Sequence, residues 1–218
     1  AVLRADVDNL GHAFIAGFPN KYMTLSRTAT LSRQLSLFFK YHIKSILEKG
    51  SYYIDHEESH PRHAAIVYSG GDDLFIVGAW NDVIELAVDI KDSLKAYTEN
   101  TLTISGGIGL YTSTYPISVI ADEVAEMEDK SKGHEGKNSI TLFEDGKDHK
   151  EGEEDHISDG TYTWGDFTER VIKEKYAVLD QFFGKSMNGD KSDTERGKAF
   201  LYHLLELIRK RHEGINFA

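Results

Sequence analysis

The sequence has no cysteine, which excludes disulfides and thiolate metal sites and fits an intracellular, cytoplasmic home. It has no run of about 18 apolar residues, so no membrane-spanning helix is expected. Positive charge is in deficit: 25 Lys and Arg stand against 36 Asp and Glu, a formal net charge of −11. That excludes a surface that coats nucleic acid broadly, so any RNA or DNA contact must be local or supplied by partners. No secretory leader is recognisable. The opening Ala1-Val2-Leu3-Arg4-Ala5-Asp6 already reads as a core strand, which suggests a piece cut from a longer polypeptide. The rest of the composition, 40% apolar and 28% charged over 218 residues, suffices for a sizeable core, as one large domain or a domain with an appendage.

The most informative stretch is Tyr68-Ser69-Gly70-Gly71-Asp72-Asp73-Leu74-Phe75. The apolar run Ala64–Tyr68 precedes the glycine pair and Leu74–Trp80 follows it, which predicts a β-hairpin. Adjacent carboxylates between apolar strands need a compensating cation or partner. Gly70 and Gly71 permit positive φ and the close approach of a bulky anion such as a triphosphate. Upstream, Asp6-Val7-Asp8 ends a short strand, and at period two both acids project from one face. Asn9-Leu10-Gly11 then breaks it.

Between these acids, Thr24–Leu47 predicts a long helix with Leu31, Leu35, Phe38, Phe39, Ile43, Ile46 and Leu47 on its apolar side. Its first turns are rich in Ser, Thr and Arg, which suits either phosphate contact or ordinary capping. The polar loop 50–62 and its border hold His56, His60 and His63 at spacings that match no zinc-protease pattern. After the hairpin, a helix runs to Tyr97, with Asp82 and Glu85 as a possible capping pair. A glycine-containing strand spans Leu102–Tyr111, a third helix Ser118–Lys132, and a last strand Ser139–Phe143. The order β-α-β-β-α-β-α-β opens with a ferredoxin-like split β-α-β pattern, an α+β fold. In that fold the first strand and the hairpin lie side by side, and Asp6, Asp8, Asp72 and Asp73 converge at one end of the sheet. Residues 1–145 form this domain. The acid-rich stretch 146–160 is a linker or loop. Residues 161–218 are helical, over Thr163–Phe183 and Ser192–His212, the latter with a Ser192/Glu195 capping box. Gly184-Lys185-Ser186 is not a Walker loop, because Leu179 stands where its first glycine belongs.

Carboxylates brought together from separate strands suit two divalent cations, Mg²⁺ or Mn²⁺, and in-line nucleotidyl transfer. Asp6 and Asp72 are the expected principal ligands, with Asp8 and Asp73 in support; Asp72, Asp73 and Asp6 carry the catalysis. Gly70 and Gly71 leave room for phosphate. Lys132 and Lys137 are candidate phosphate contacts, and Ser69 a candidate base or ribose contact.

Three segments together resemble one family: Asp6-Val7-Asp8-Asn9-Leu10-Gly11, the Gly70-Gly71-Asp72-Asp73 hairpin, and Lys137-Asn138-Ser139-Ile140-Thr141-Leu142-Phe143. The family is the large signature subunit of type III CRISPR effector complexes, in its Csm (III-A) branch. The resemblance covers nearly the whole chain. It implies a palm domain related to GGDEF nucleotide cyclases, followed by the start of a helical domain. It also implies synthesis of cyclic oligoadenylate from ATP when target RNA binds the complex. The implied partners are a first palm and an HD domain of the same subunit, other Csm subunits, crRNA and target RNA, with no membrane. Two palms would enclose the nucleotide, so this chain supplies half of the site. The family's HD nuclease pair and zinc-binding cysteines are not in this sequence, so DNA cleavage is not assigned to it. A GGDEF-type diguanylate cyclase and a non-catalytic scaffold palm are the competing readings.

Overall fold

The computed structural model describes residues 1–17, 19–54, 60–143 and 160–180, together with 200, 202, 203 and 206. The first strand, β1 (Val2–Val7), lies inside a six-stranded sheet with β2 (Ala64–Gly70), β3 (Asp73–Gly78), β4 (Ile104–Gly109), β5 (Ser139–Leu142) and β6 (Thr161–Thr163). The strand order is β2-β3-β1-β4-β5-β6. β1 runs antiparallel to both neighbours, β4 and β5 pair in parallel, and β6 closes that edge antiparallel. The β2-β3-β1-β4 core is the expected α+β palm arrangement. Among the described residues, no helix is long and apolar enough to cross a membrane.

Alternation along β1 divides the two faces. Leu3, Ala5 and Val7 point one way, and with Leu74 and Ile76 of β3 they are almost fully buried. That face packs on α4 (Trp80–Tyr97) and on the helix made of α2 (Leu25–Leu37), a π-helical turn (Phe38–His42) and α3 (Ile43–Glu48). The long helix begins one residue after the expected start, because Thr24 accepts the Arg27 amide as its N-cap. Phe38 and Phe39 of the π-helical turn and Ile43 of α3 fill the core, as their spacing predicted. Val2, Arg4 and Asp6 point to the other face, under α5 (Ile117–Gly133), where Ile120 and Val124 pack on Val2, Phe75 and Val77.

β4 explains its glycines. A Cβ at Gly107 would stand 2.4 Å from the Met127 Cβ and 2.9 Å from the Glu128 amide, so the backbones of β4 and α5 touch there. Hydroxyls lock the contact: Ser131 donates to the Gly106 carbonyl at 2.6 Å, and Ser131, Thr141 and Thr161 form a buried chain at 2.8 and 2.9 Å.

Several elements depart from sequence expectation. Asn9 takes a left-handed conformation (φ 54°) and turns the chain into a short helix, α1 (Leu10–Ala16), where a simple break was expected. Trp80 belongs to α4 and not to the strand before it. Asp82 and Glu85 do not cap α4, whose N-cap is Ala79 without a side-chain bond. Both acids are buried and accept backbone amides from the preceding loop, of His63 at 2.9 Å and Ile54 at 2.9 Å. Thr161–Thr163 is strand, not the approach to a helix. Trp164 is 2% exposed and donates from its indole to the Ile104 carbonyl at 2.8 Å, which holds this segment on the sheet edge, and the helix starts only after Thr163 caps it.

The chain divides into two compact units, Ala1–Phe167 and Thr168–Ala218. A π-helical segment (Phe167–Tyr176) leads into the second unit and is followed there by a turn of α-helix (Ala177–Leu179), and residues 200, 202, 203 and 206 are also helical. The acid-rich stretch 146–159, the Ser192/Glu195 box, Gly184–Ser186 and His56 lie outside the described residues.

Candidate functional site

The hairpin turn is tight. Gly71 has φ +71°, and the Asp72 amide donates back across it to the Gly70 carbonyl at 2.9 Å. This turn places Asp73 as the first residue of β3, directly opposite Asp6 of β1. Like charges in direct cross-strand register repel. The sheet tolerates them because α5 brings a cation over that end.

Lys132 Nζ bonds Asp6 Oδ2 and lies 2.6 Å from Glu128 Oε1, while Arg4 Nε holds Glu128 Oε2 at 2.7 Å. Carboxylate oxygens of Asp6, Asp73 and Glu128 lie within 4.8 Å of one another. Glu128 is 3% exposed, and the buried Asp6 Oδ1 has no hydrogen-bond partner. A hard divalent cation fits this donor set, since all its ligands are oxygens and one buried oxygen lacks a donor.

The electrostatics follow from crowding. Burial, then Asp6 and Asp73, hold the Asp72 carboxyl above the usual range. Burial raises Glu128 against the opposing pull of Lys132 and Arg4. Burial by itself would lower the Lys132 ammonium, but its bonds to Asp6 and Glu128 raise it well above an ordinary lysine. Its contribution to stability is therefore complete below pH 10.5, the ordinary lysine value, and is lost as pH rises through the folded value.

Lys132→Met takes the paired cation from Asp6 and leaves Glu128 with Arg4 alone. The expected loss is about 2 kcal/mol, less than the ~3–5 kcal/mol of a fully buried broken pair because water reaches Lys132. Urea denaturation measures it, and millimolar Mg²⁺ should restore much of the loss in the variant.

The other expected residues are placed differently. Asp8 does not join Asp6, because β1 ends at Val7 and the chain is already turning at Asn9. Asp8 is 4% exposed and accepts Thr103 Oγ1 at 2.7 Å and the Asn138 amide at 3.1 Å, on the β4 side. Lys137 has φ 53° and donates to Asn9 Oδ1 at 2.8 Å, closing the same corner. Ser69 donates to the Phe39 carbonyl at 2.7 Å, tying the hairpin to the π-helical turn. Gly70 is in the ladder opposite Asp73, and a Cβ at Gly71 would meet open space. Glu128 escaped the sequence reading. Its only signal was the i, i+4 spacing to Lys132 on the predicted third helix.

Beside Asp8 opens a cleft of about 850 Å³, walled by α1, α2 and the α4–β4 connection, with Asn9, His12, Gln34, Glu99 and Thr103 among its lining. Its volume is in the range of sites that hold a nucleotide-sized molecule.

Comparison with known proteins agrees with this fold. Residues 1–141 match the profile of the Cas10/Cmr2 second palm domain. A Mycobacterium tuberculosis relative, described as the CRISPR system single-strand-specific deoxyribonuclease Cas10/Csm1 (subtype III-A), is 41% identical over 223 residues, covering 100% of this chain and 25% of its own. Among solved structures, a Csm1-Csm4 cassette in complex with one ATP superposes with TM-score 0.66 at 30% identity over 94% of this chain and 28% of that one. A Csm1-Csm4 cassette in complex with cA3 gives TM-score 0.66 at 29% identity over 95% of this chain and 28% of that one. The chain thus spans about a quarter of the length of the curated relatives it matches. With its palm sheet, its Gly-Gly-Asp-Asp hairpin facing Asp6, and these matches along its length, the chain belongs to the Cas10 family of type III-A CRISPR systems, as a portion that includes the second palm domain.

Proposed function

We propose that this chain carries the acid half of a nucleotidyltransferase site that makes cyclic oligoadenylate from ATP within an RNA-guided type III-A effector complex. The observation that carries the reading is the direct opposition of Asp6 and Asp73 across β1 and β3, with Glu128 beside them. The superposable Csm1-Csm4 cassettes in complex with one ATP and with cA3 support the choice of nucleotide. Asp6 and Asp73, with Asp72 at the turn, hold the divalent cation. These carboxylates would hold a hard divalent ion such as Mg²⁺, which would supply polarisation of an attacking hydroxyl and neutralisation of triphosphate charge. Lys132 trades a carboxylate for a phosphate oxygen as the nucleotide enters. Gly71, with no side chain and open space above it, lets the phosphates approach the turn. The cleft next to Asp8 takes the base and ribose. Asp8 and Lys137 act at one remove, by fixing the corner between Asn9, Thr103 and Asn138. The missing half of the site comes from the first palm. The HD domain, other Csm subunits, crRNA and target RNA complete the active assembly. The deoxyribonuclease activity in the relatives' names is not assigned to these residues.

The test uses the full-length protein in its complex with Mg²⁺, matched target RNA and each of the four nucleoside triphosphates, with products identified by mass spectrometry. Cyclic adenylates from ATP, absent in Asp72→Ala/Asp73→Ala, are expected. Cyclic diguanylate from GTP would move the chain to the diguanylate cyclases. No product from any nucleotide, with target bound, would leave a scaffold palm.

A further inference from the structure

A second cluster of ligating side chains lies on α4, on the face of the sheet away from α5. Asp82, Glu85 and Asp89 follow one another at helical spacing and are 1%, 2% and 4% exposed. They receive the loop that leads into β2. Asp89 takes the amides of Ser51 and Tyr52, the Ser51 hydroxyl at 2.7 Å and the Arg62 guanidinium at 2.5 Å. Glu85 takes the Ile54 amide, and Asp82 the His63 amide. Arg62 is the one fully buried cation among these described groups, and it is committed to Asp89, standing 3.7 Å from Glu85. One cation against three acids leaves the cluster a formal charge of minus two in a nearly water-free place, which is costly without compensation.

Two imidazoles reach the same acids. His60 Nε2 lies 3.4 Å from Asp82 Oδ1 and His63 Nδ1 3.3 Å from Asp82 Oδ2. Ligand atoms of His60, Asp82 and Glu85 all lie within 4.8 Å of one another. Independently of that grouping, Glu85 Oε2 is buried with no hydrogen-bond partner, although its Oε1 is satisfied. The spacing is paired as well: His60 and His63 are three apart in the loop, and Asp82 and Glu85 three apart on the helix.

We propose that His60, Asp82 and Glu85, with His63 swinging in as the fourth ligand, form a structural site for a borderline divalent ion of the zinc class, which pins the loop onto α4. Two nitrogens and two carboxylates suit tetrahedral zinc, whereas the all-oxygen site at Asp6 suits a harder ion, so the two sites differ in the metal they select. The divalent charge cancels the cluster's residual minus two. Arg62 then serves as the outer partner of Glu85, as groups around bound metals commonly do. The proposal is independent of the nucleotidyltransferase reading, since neither its ligands nor its test involves Asp6 or Asp73.

The experiment counts zinc. The full-length protein is equilibrated with zinc, dialysed against a weak chelator and analysed by inductively coupled plasma mass spectrometry. His60→Asn/His63→Asn is expected to hold one equivalent fewer than wild type, and Asp6→Asn/Asp73→Asn the same number as wild type. Glu85→Gln keeps an acceptor for the Ile54 amide and so preserves the fold; it too should lose the equivalent. In wild type, zinc at about 100 times its Kd should slow amide exchange of residues 50–54 about 100-fold where exchange proceeds through loop opening. Equal zinc counts in wild type and Glu85→Gln would overturn the proposal, with the imidazoles then acting only as hydrogen-bond partners. An equivalent lost from Asp6→Asn/Asp73→Asn and not from the histidine variant would overturn it as well.

Discussion

Asp73→Asn in the full-length complex is expected to lower the proposed oligoadenylate formation by about a thousandfold, roughly 4 kcal/mol of transition-state stabilisation. The substitution keeps size and hydrogen bonding and removes one charge of the pair opposed across β1 and β3. Asp6→Asn should match it, because in the proposed site both carboxylates hold the same cation. Asp8→Asn should cost less than about tenfold. An asparagine there still accepts from Thr103 and the Asn138 amide, and Asp8 is not among the clustered oxygens. Product assays on the three variants separate the ligands from the residue that only braces the corner. If Asp8→Asn were as damaging as Asp73→Asn, the assignment of ligands would have to change. The pH dependence has a definite sign. Asp72 sits above the usual carboxylate range through burial and the charges of Asp6 and Asp73. Its proton therefore competes with the cation at higher pH than an isolated aspartate's would. Mn²⁺ affinity, read by electron paramagnetic resonance, should fall as pH is lowered through that raised value.

Gly107→Ala is expected to destabilise the protein by about 3 kcal/mol, at the upper end for overpacking by one methyl group. The added carbon would stand 2.4 Å from the Met127 Cβ and 2.9 Å from the Glu128 amide nitrogen. Neither is the far end of a flexible side chain, so relief requires α5 to move away from β4. That shift carries Glu128 and Lys132 away from Asp6, so cation affinity should fall together with stability. Gly71→Ala is the control. Its Cβ would meet nothing, and only the positive φ is penalised, about 1–2 kcal/mol. Urea midpoints and Mn²⁺ titrations on both variants would distinguish a packing defect that disturbs the site from local backbone strain. Unchanged affinity in a folded Gly107→Ala would show that the acids do not depend on the seating of α5.

Apolar runs located β1 to β5, the long helix and α4; alternation in β1 and β3 and helical spacing in the long helix reflect one buried face each. The hairpin was legible because a glycine pair between apolar runs has few other conformations open to it. Features set by single residues against distant neighbours were not legible. The three residues of β6 carry no period of their own and are strand only because β5 offers an open edge and Trp164 finds the Ile104 carbonyl. Asp82 and Glu85 have the spacing of a capping pair, yet loop amides and Arg62 claim both, a preference no local pattern encodes.

The same division runs through the site. The sequence by itself determined that acids would sit at a strand end and at a glycine turn of one palm sheet, since chain order and period two specify both. Tertiary structure decided which of them meet. Strand register set Asp6 against Asp73, the end of β1 at Val7 sent Asp8 towards Thr103, and the close seating of α5 on Gly107 added Glu128 and Lys132. The physical reason is that charge at a few ångströms depends on register and on the contact between backbones, and these are settled only when the whole sheet packs.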